Sequence, residues 1–410
     1  MDLKKAIYTR FERYVKIDTQ SDERSGTFPS TRKQLALAKL LAGELRAIGA
    51  KKVKLDKYGY VTAEIPATAK GKFPVIGLLA HMDTSPAASG AGVRPQVHKG
   101  WKGGDIVISR KLGVILNERN CPELAACRGE DIVTASGGTL LGADDKAGIA
   151  VIMAAAEYLL AHREIEHGTL KIGFTPDEEV GQGVKYFNVT AFGADYAYTF
   201  DGAVAGEVED ETFNADGVTI KIAGKSVHPG TAKNAMANAA RIAADIISSW
   251  PENLLPETTE HREGFIMFTD ISGETEKAEV SGIVRDHDLK KLKAMERQLE
   301  ALVAAARLKY PLAKIELSFK EQYRNMKEVI AKHPAVMNKL LAAVRQAGLT
   351  PHITPVRGGT DGARLSFLGL PTPNVFTGGY NYHGRYEWVS LDGMNKAAQV
   401  LVNLACEWTK

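Results

Sequence analysis

The sequence is poor in cysteine and has neither a long apolar run nor a Cys-x-x-Cys pair. Its 410 residues include three cysteines, Cys121, Cys127 and Cys406. We interpret Cys121 and Cys127 as ordinary thiols, and the low cysteine count is typical of a reducing compartment. No apolar segment approaches the roughly 18 residues of a membrane-spanning helix, so a transmembrane protein is not expected.

The sequence also lacks a marked excess of either charge. It has 52 basic and 49 acidic residues, which gives a net charge of +3. This near-balance argues against a protein dedicated to nucleic acid or to a membrane surface. The first residues lead into an amphipathic pattern rather than the apolar segment of a signal peptide. We therefore expect a cytoplasmic protein with no nucleic-acid or membrane partner.

The hydrophobic fraction of 44% and the length allow two or three domains. Apolar strands alternate with amphipathic helices before Asp201, which predicts an α/β fold: a mixed, mostly parallel sheet with helices on both faces. Ser30 is predicted to cap the second helix and Ser390 the last one. Residues 87–130 are rich in Gly, Pro and charge, with one predicted strand at 105–108, and we interpret them as a long loop excursion.

After Asp201 the predicted order of elements changes to β-α-β-β-α-β, which is typical of a ferredoxin-like α+β unit. We predict an inserted lid domain over residues 209–321, with residues 1–208 and 322–410 forming the two parts of the main domain. The charged helix that begins at Leu289 is expected to be a solvated face, or else part of a homodimer interface.

A His-x-Asp pair follows a buried apolar strand. Residues 75–80 are apolar and lead directly into His81-Met82-Asp83. Residues two apart on an extended chain point to the same side, so His81 and Asp83 should project together. The carboxyl end of a strand is where open α/β sheets bind ligands. Asp83 is well placed to orient the imidazole of a metal-binding histidine.

Other polar residues follow predicted strands or open helices, namely Asp144, Glu178, Glu179, Asp201 and His383. Taken singly, Asp144 could cap a helix, the two glutamates could be solvated, and His383 could be a loop histidine. Gathered at one sheet edge they would repel one another unless a cation joined them. A set of two histidines and three carboxylates drawn from these residues, without cysteine, suits Zn²⁺, Mn²⁺ or Co²⁺. A two-metal site needs a bridging carboxylate, and Asp144 suits that role.

These motifs together resemble the dinuclear zinc exopeptidase family, which includes carboxypeptidase G and the aminoacylases. The resemblance covers essentially the whole chain, including the inserted domain. Within the family, the sequence is most similar to the tripeptide aminopeptidases. The motifs are His81-Met-Asp83, Gly142-Ala-Asp144-Asp145-Lys146, Asp177-Glu178-Glu179, Asp201, Tyr382-His383, Lys225–Gly230, Arg357–Gly362 and Phe376–Gly384.

The resemblance implies two divalent ions per chain, zinc by first choice and Mn²⁺ or Co²⁺ as alternatives. It implies that His81 and Asp201 bind one ion, that Glu179 and His383 bind the other, and that Asp144 bridges them. Asp83 orients His81, and Glu178 acts as the general base without being a ligand. The resemblance also implies a cis peptide between Asp144 and Asp145.

Further candidates lie in or near the predicted insertion. His228 is the candidate oxyanion donor, although it could equally be a turn histidine before Pro229. Arg357 precedes two glycines and could clamp a substrate carboxylate or carbonyl, or could be a surface arginine. Arg285 and Asn325 are weaker candidates for substrate binding.

The function implied is a metallo-aminopeptidase that releases the N-terminal residue of tripeptides, with a small peptide as its partner. One alternative keeps the fold and the metals but hydrolyses dipeptides or N-acyl amino acids. Another is a peptide-binding protein without catalysis, against which the intact Glu178 argues. A ferredoxin-like nucleic-acid module is disfavoured because the predicted strands lack a basic, aromatic stripe.

Overall fold

A computed structural model describes residues 2–410, which divide into two compact units. The first unit comprises residues 2–210, Met326–Thr354 and Thr360–Lys410. The second comprises Glu211–Asn325 and the short segment Pro355–Gly359. The predicted insertion at 209–321 covers most of the second unit. The segment Pro355–Gly359, which follows a stretch of the first unit, also belongs to the second unit.

Helices and strands alternate along the chain. The helices are α1 (Leu3–Val15), α2 (Gln34–Ala47), α3 (Ala143–Ala161), α4 (Val189–Phe192), α5 (Ala239–Ser248), α6 (Leu289–Lys309), α7 (Lys327–Ile330), α8 (Pro334–Gln346), α9 (Asp361–Phe367) and α10 (Leu391–Glu407). The strands are β1 (Lys51–Leu55), β2 (Val61–Ile65), β3 (Ile76–His81), β4 (Gln96–His98), β5 (Ile106–Ser109), β6 (Val114–Leu116), β7 (Ile132–Thr134), β8 (Leu170–Thr175), β9 (Tyr196–Gly202), β10 (Glu207–Thr212), β11 (Asn214–Ala223), β12 (Phe265–Gly273), β13 (Lys277–Asp286), β14 (Lys314–Tyr323), β15 (His352–Val356), β16 (Asn374–Phe376), β17 (Gly379–Tyr380) and β18 (Trp388–Ser390). The second unit contains α5, α6 and β11 to β14.

The largest sheet has the strand order β1-β2-β8-β3-β9-β16-β10-β15. Its central strands β8, β3, β9 and β16 are parallel, whereas β1, β2 and β10 pair with their neighbours antiparallel. Parallel strands place their carboxyl ends at one edge of the sheet, and the predicted polar residues follow β3, β8 and β9. The prediction of a mixed, mostly parallel sheet is confirmed.

The central strand β3 is covered on both faces. Leu78 and Ala80 belong to one apolar core with α1, α3 and α10, whereas Leu79 belongs to a second core with Phe192 of α4 and Leu365 of α9. Because successive side chains of a strand point to opposite faces, these two cores lie on opposite sides of the sheet. The uniformly apolar sequence of β3 reflects this double burial, and the predicted helices on both faces are confirmed.

The second unit is built around an antiparallel sheet with the strand order β12-β13-β11-β14. The order along the chain is β11-α5-β12-β13-α6-β14, which is the predicted ferredoxin-like order. One face of α5 and one face of α6 contribute Ile242, Ile246, Leu292 and Leu299 to a core shared with Ile220 of β11. The period of about 3.6 residues between these apolar positions explains why each helix buries a single stripe.

The predicted excursion at 87–130 contains more structure than its sequence suggests. The predicted strand at 105–108 corresponds to β5, which pairs with β6, a strand that the sequence analysis missed. A small core includes Trp101 and the thiols of Cys121 and Cys127, which are free, as predicted. The apolar residues lack a regular period because they pack from short irregular segments rather than from one face of an element.

Of the two predicted helix caps, one is wrong and one is confirmed. Ser390 caps α10 by accepting from the N–H of Gly393. Ser30 does not cap α2, which begins at Gln34, because the Ser30 hydroxyl donates to Asp177 instead. Within residues 2–410, the structure has no helix with the length and apolarity needed to cross a lipid bilayer.

Candidate metal centre

Three neighbouring strands deliver polar side chains to one edge of the large sheet. His81 is the last residue of β3 and lies opposite Thr175, the last residue of β8. The chain leaving β8 turns through Glu178 and Glu179, and Asp201 lies one residue before the end of β9. The parallel alignment of these strands therefore brings together residues that are far apart in the sequence.

The start of α3 adds a fourth side chain. Gly142 precedes the helix with φ +80°, and Asp144 has non-helical dihedral angles, φ −85° and ψ 104°. The peptide between Asp144 and Asp145 is cis, as the resemblance implied. Asp144 is therefore not the N-cap considered for it from the sequence. Its carboxylate does not cap α3 and instead contacts the two histidines.

The carboxylate of Asp144 lies between two imidazoles. Its Oδ1 is 2.8 Å from Nε2 of His81, and its Oδ2 is 3.0 Å from Nε2 of His383. Nε2 of His81 also lies 3.5 Å from Oδ1 of Asp201, and Nε2 of His383 lies 2.9 Å from Oε2 of Glu179. The five side chains thus form two histidine–carboxylate pairs with a shared carboxylate between them.

This donor set fits divalent cations. Two groups of potential ligand atoms lie within 4.8 Å of one another, His81 with Asp144 and Glu179, and His81 with Asp145 and Asp201. Oε1 of Glu179 is buried without a hydrogen-bond partner, a state that costs about 1–3 kcal/mol unless a ligand satisfies it. Imidazole and carboxylate without thiolate match Zn²⁺, Mn²⁺ or Co²⁺.

Despite the burial of Asp144, the imidazoles of His81 and His383 lower its pKa, whereas burial raises the pKa of the carboxyl groups around it. Burial raises the pKa of Glu179 to about 8, with the nearby Asp144 carboxylate contributing in the same direction. Burial also raises the pKa of Asp201 and raises that of Glu178 well above its usual range. Carboxyl groups in such surroundings are costly to ionise without a compensating positive charge. A bound cation would supply that charge.

Asp83 has two sets of contacts. Its carbonyl oxygen and its Oδ1 lie 3.2 and 3.3 Å from Nδ1 of His81, so Asp83 contacts the imidazole that it is predicted to orient. Its carboxylate also accepts the backbone N–H groups of Glu178 and Glu179, at 3.0 and 3.1 Å. This second set could not be predicted from the sequence, because its partners are about a hundred residues away. Asp83 therefore connects the end of β3 to the loop that follows β8.

Two further buried carboxylates support the centre, and neither role is predicted by the sequence pattern. Glu387 accepts the N–H groups of Leu141, Gly142 and Asp144 at 2.6, 2.8 and 3.1 Å. Asp145 accepts the N–H of His81 at 3.1 Å. Neither residue stands in a pattern that predicts a backbone-holding role, since the bonded segments meet only in the folded chain.

The comparisons with known proteins agree with this geometry. Residues 134–407, about two thirds of the chain, match the family described as "Peptidase family M20/M25/M40". The chain belongs to peptidase family M20/M25/M40. A relative from Caldanaerobacter subterraneus subsp. tengcongensis, named "Peptidase T", is 48% identical over 398 residues, which are 97% of each chain.

Solved structures share the fold of this M20/M25/M40 peptidase. An aminopeptidase from Bacillus cereus superposes with a TM-score of 0.76 at 22% identity, covering 99% of both chains. A tripeptidase from Staphylococcus aureus superposes with a TM-score of 0.77 at 20% identity, again covering 99% of both chains. At these identities the likeness establishes the fold of the M20/M25/M40 chain from end to end.

The other predicted site residues of this M20/M25/M40 peptidase belong to the second unit. His228 is exposed and precedes a 3₁₀ turn, Pro229–Thr231, and its Nδ1 accepts the N–H of Gly230 at 3.1 Å. A neutral imidazole that accepts at Nδ1 has its proton on Nε2, so His228 presents a hydrogen-bond donor. Its role toward substrate stays a prediction.

Arg357 is bonded within the second unit. Its guanidinium donates to the carbonyl oxygens of His261 and Glu263, both at 2.9 Å, and lies 5.3 and 5.6 Å from the ring centres of Phe213 and Phe265. Such contacts rigidify an arginine side chain and stabilise the segments it joins. Its predicted contact with substrate remains a prediction.

Asn325 and Arg285 have different surroundings in the same unit. Asn325 is buried, accepts the N–H of Thr212 at 3.2 Å and donates to the carbonyl of His287 at 3.1 Å. Its amide thus links three segments of the unit. Arg285 lies on β13, paired with Ala215 and with Phe265 on the neighbouring strands. Their predicted roles in substrate binding stay untested.

Proposed function

We propose that this chain is a metallo-aminopeptidase that hydrolyses the N-terminal peptide bond of tripeptides. The observation that carries the proposal is the Asp144 carboxylate between the imidazoles of His81 and His383, each with a second carboxylate beside it. The name of the relative that is 48% identical, "Peptidase T", and the aminopeptidase and tripeptidase among the similar structures support the substrate class.

The residues that would hold two ions divide into two pairs and a bridge. His81 and Asp201 would hold one ion, Glu179 and His383 the other, and Asp144 both. Zinc is our first choice, with Mn²⁺ or Co²⁺ as alternatives. Divalent ions bound in this way supply Lewis acidity, which lowers the pKa of water and polarises a carbonyl group.

Glu178 is the proposed general base. It lies beside the ligand Glu179, and burial raises its pKa well above its usual range. A carboxylate with a raised pKa accepts a proton from water more readily and can then return it to the leaving amine. Asp83 would hold the backbone of both glutamates in place by accepting hydrogen bonds from their N–H groups.

The second unit would complete the site as a lid, formed mainly by residues 209–321. The Nε2–H of His228 would donate to the oxyanion of the tetrahedral intermediate, a contribution typically worth about 10²–10³-fold in kcat. Arg357 is proposed to clamp a carboxylate or carbonyl group of the peptide, and Arg285 and Asn325 are weaker candidates for binding it.

A competition assay tests the substrate class. Purified protein with Zn²⁺ is offered Ala-Ala, Ala-Ala-Ala, Ala-Ala-Ala-Ala and N-acetyl-Ala in equal amounts, and the products are quantified. We expect the tripeptide to be consumed first and to release free alanine from its N-terminus. Faster hydrolysis of N-acetyl-Ala would overturn the aminopeptidase proposal in favour of an N-acyl-amino-acid hydrolase.

A second experiment tests the assigned base. Glu178→Ala should keep its bound metal, measured by elemental analysis, and should lose turnover by several orders of magnitude. Asp144→Ala should lose metal as well as turnover, because it removes the shared ligand. Near-normal turnover in Glu178→Ala would exclude that residue as the base.

A further inference from the structure

The loop after β8 presents Glu178 and Glu179 from a tight turn with an unusual first residue. Asp177 has φ +58°, in the left-handed region that side chains other than glycine, Asn and Asp seldom adopt. Its carbonyl accepts the N–H of Gln182 at 2.9 Å, and the carbonyl of Glu178 accepts the N–H of Gly181 at 2.6 Å. Because this backbone conformation is disfavoured on its own, other contacts must hold it in place.

The Asp177 side chain supplies those contacts. Its Oδ2 accepts the N–H of Ser30 at 2.6 Å, and its Oδ1 accepts the Ser30 hydroxyl at 2.5 Å and the Gln34 side-chain amide at 2.6 Å. The N–H of Asp177 donates to Oε1 of Gln34 at 3.2 Å. All three residues are buried, and hydrogen bonds to a buried carboxylate are among the stronger ones in proteins.

The same turn is held from its other side by Asp83, through the N–H groups of Glu178 and Glu179. The backbone of the turn is therefore fixed at three consecutive residues, by Ser30 and Gln34 at Asp177 and by Asp83 at the two glutamates. None of these contacts uses the Glu178 carboxylate. They constrain its direction and leave its oxygens available for chemistry.

We propose that Asp177, held by Ser30 and Gln34, is a positioning residue that fixes the direction of the Glu178 carboxylate. This inference rests on the proposed function, in which Glu178 is the general base. If the buried cluster is broken, the turn relaxes away from its positive φ and moves the base. A displacement of about 1 Å at a catalytic group costs on the order of 100-fold in rate.

The donors and acceptors of the cluster allow a specific test, in which the carboxylate of Asp177 and the amide of Gln34 are swapped between the two positions. In Asp177→Asn the new NH₂ group faces the Gln34 NH₂ group, and in Gln34→Glu two carboxylates face each other. The double variant Asp177→Asn/Gln34→Glu restores a donor–acceptor pair with the roles reversed. The N–H of residue 177 keeps its acceptor at residue 34, and the Ser30 hydroxyl can accept instead of donating.

The experiment measures kcat and KM for Ala-Ala-Ala with Zn²⁺. Each single variant should lower kcat about 100-fold with KM changed by less than about threefold, and the double variant should recover kcat to within about tenfold of the wild type. In a Glu178→Ala background, Asp177→Asn should lower the remaining rate by less than about threefold, since it acts through Glu178. A purely structural role would lower the rate equally in both backgrounds.

Glu407→Gln is the matched control. It alters a carboxylate that accepts the side-chain amide of Gln346 at 2.6 Å between α8 and α10, outside the site. This control should keep wild-type kcat. Equal kcat in Asp177→Asn and the wild type, or loss of kcat in the double variant as large as in the single variants, would overturn the positioning role while leaving the aminopeptidase proposal intact.

Amide hydrogen exchange separates the two proposals if the wild type fails to cleave tripeptides. The N–H groups of residues 178–182 should exchange faster in Asp177→Asn than in the wild type and should regain protection in the double variant. Tripeptides left uncleaved by the wild type would refute the proposed function. Unchanged exchange in Asp177→Asn would refute the positioning of the turn.

Discussion

Glu387 holds the segment that leads to Asp144, and its replacement by glutamine gives a prediction whose size follows from the contacts. Its Oε2 accepts the N–H groups of Leu141 and Gly142, and its Oε1 accepts that of Asp144. Its side chain is 1% exposed, so water is not a ready substitute for either oxygen. Glu387→Gln keeps one acceptor oxygen and turns the other into an NH₂ group, which must face at least one of these N–H groups.

The expected loss is that of one charge-assisted hydrogen bond. Such bonds contribute about 1.5–3 kcal/mol, so we expect unfolding of the first unit to become easier by about 2 kcal/mol. For a domain of this size, each kcal/mol of lost stability lowers the thermal unfolding midpoint by about 2 °C, so we expect a midpoint lower by about 4 °C. Replacing a residue that supports a metal ligand also lowers metal affinity, by about 10–100-fold.

Two measurements check this prediction. Differential scanning calorimetry of the metal-free protein gives the midpoint, and competition with a chelator gives the Zn²⁺ affinity. Glu12→Gln serves as the control, since Glu12 accepts from Lys16 on the exposed face of α1 and such pairs contribute little. A midpoint within about 1 °C of the wild type together with unchanged Zn²⁺ affinity would refute the role assigned to Glu387.

Three further predictions follow from other parts of the molecule. Gly148→Ala should lower stability by about 3 kcal/mol or prevent folding, because its Cβ would lie 1.9 Å from the carbonyl oxygen of Phe200; thermal unfolding and soluble yield test this. Burial lowers the pKa of His167 below its ordinary value of 6.5, so the unfolded chain binds a proton that the folded chain resists, and stability should fall as pH drops below about 6.5. His167→Gln should show a smaller loss of melting temperature between about pH 7 and about pH 5 than the wild type. Arg357→Ala should destabilise the second unit by about 2 kcal/mol, measured by hydrogen exchange of β12, because it removes several hydrogen bonds and a ring contact; unchanged protection would contradict this account.

The mixed sheet could be predicted because the spacing of apolar residues within each helix and strand is visible over a few neighbouring residues. A short apolar run such as 75–80, bounded by Pro74 and a Ser/Pro/Gly cluster, is typical of a strand buried on both faces, and α1 and α10 show the apolar period of amphipathic helices. The ferredoxin-like order of the second unit could be predicted in the same way, from the order of its helices and strands along the sequence. The small core of the excursion could not be predicted, because residues such as Trp101 and Leu124 contribute to it from irregular segments.

The sequence by itself determined that His81, Glu179 and Asp201 stand at or just beyond the ends of strands, and these three residues meet around Asp144. It did so because parallel strands necessarily end at a common edge, so that a local pattern implies a shared location. The resemblance of the motifs to a known family then limited the predicted function of these residues to two-metal hydrolysis, without any knowledge of their contacts.

Only the tertiary structure decided what holds those residues in place. Ser30 is predicted from its local sequence to cap a helix, yet its hydroxyl donates to Asp177, and Glu387 stands in no motif, yet it accepts three backbone N–H groups around Asp144. Hydrogen bonds between segments more than a hundred residues apart leave no periodic trace in a sequence. They depend on distances that exist only once the sheet and its loops have packed together.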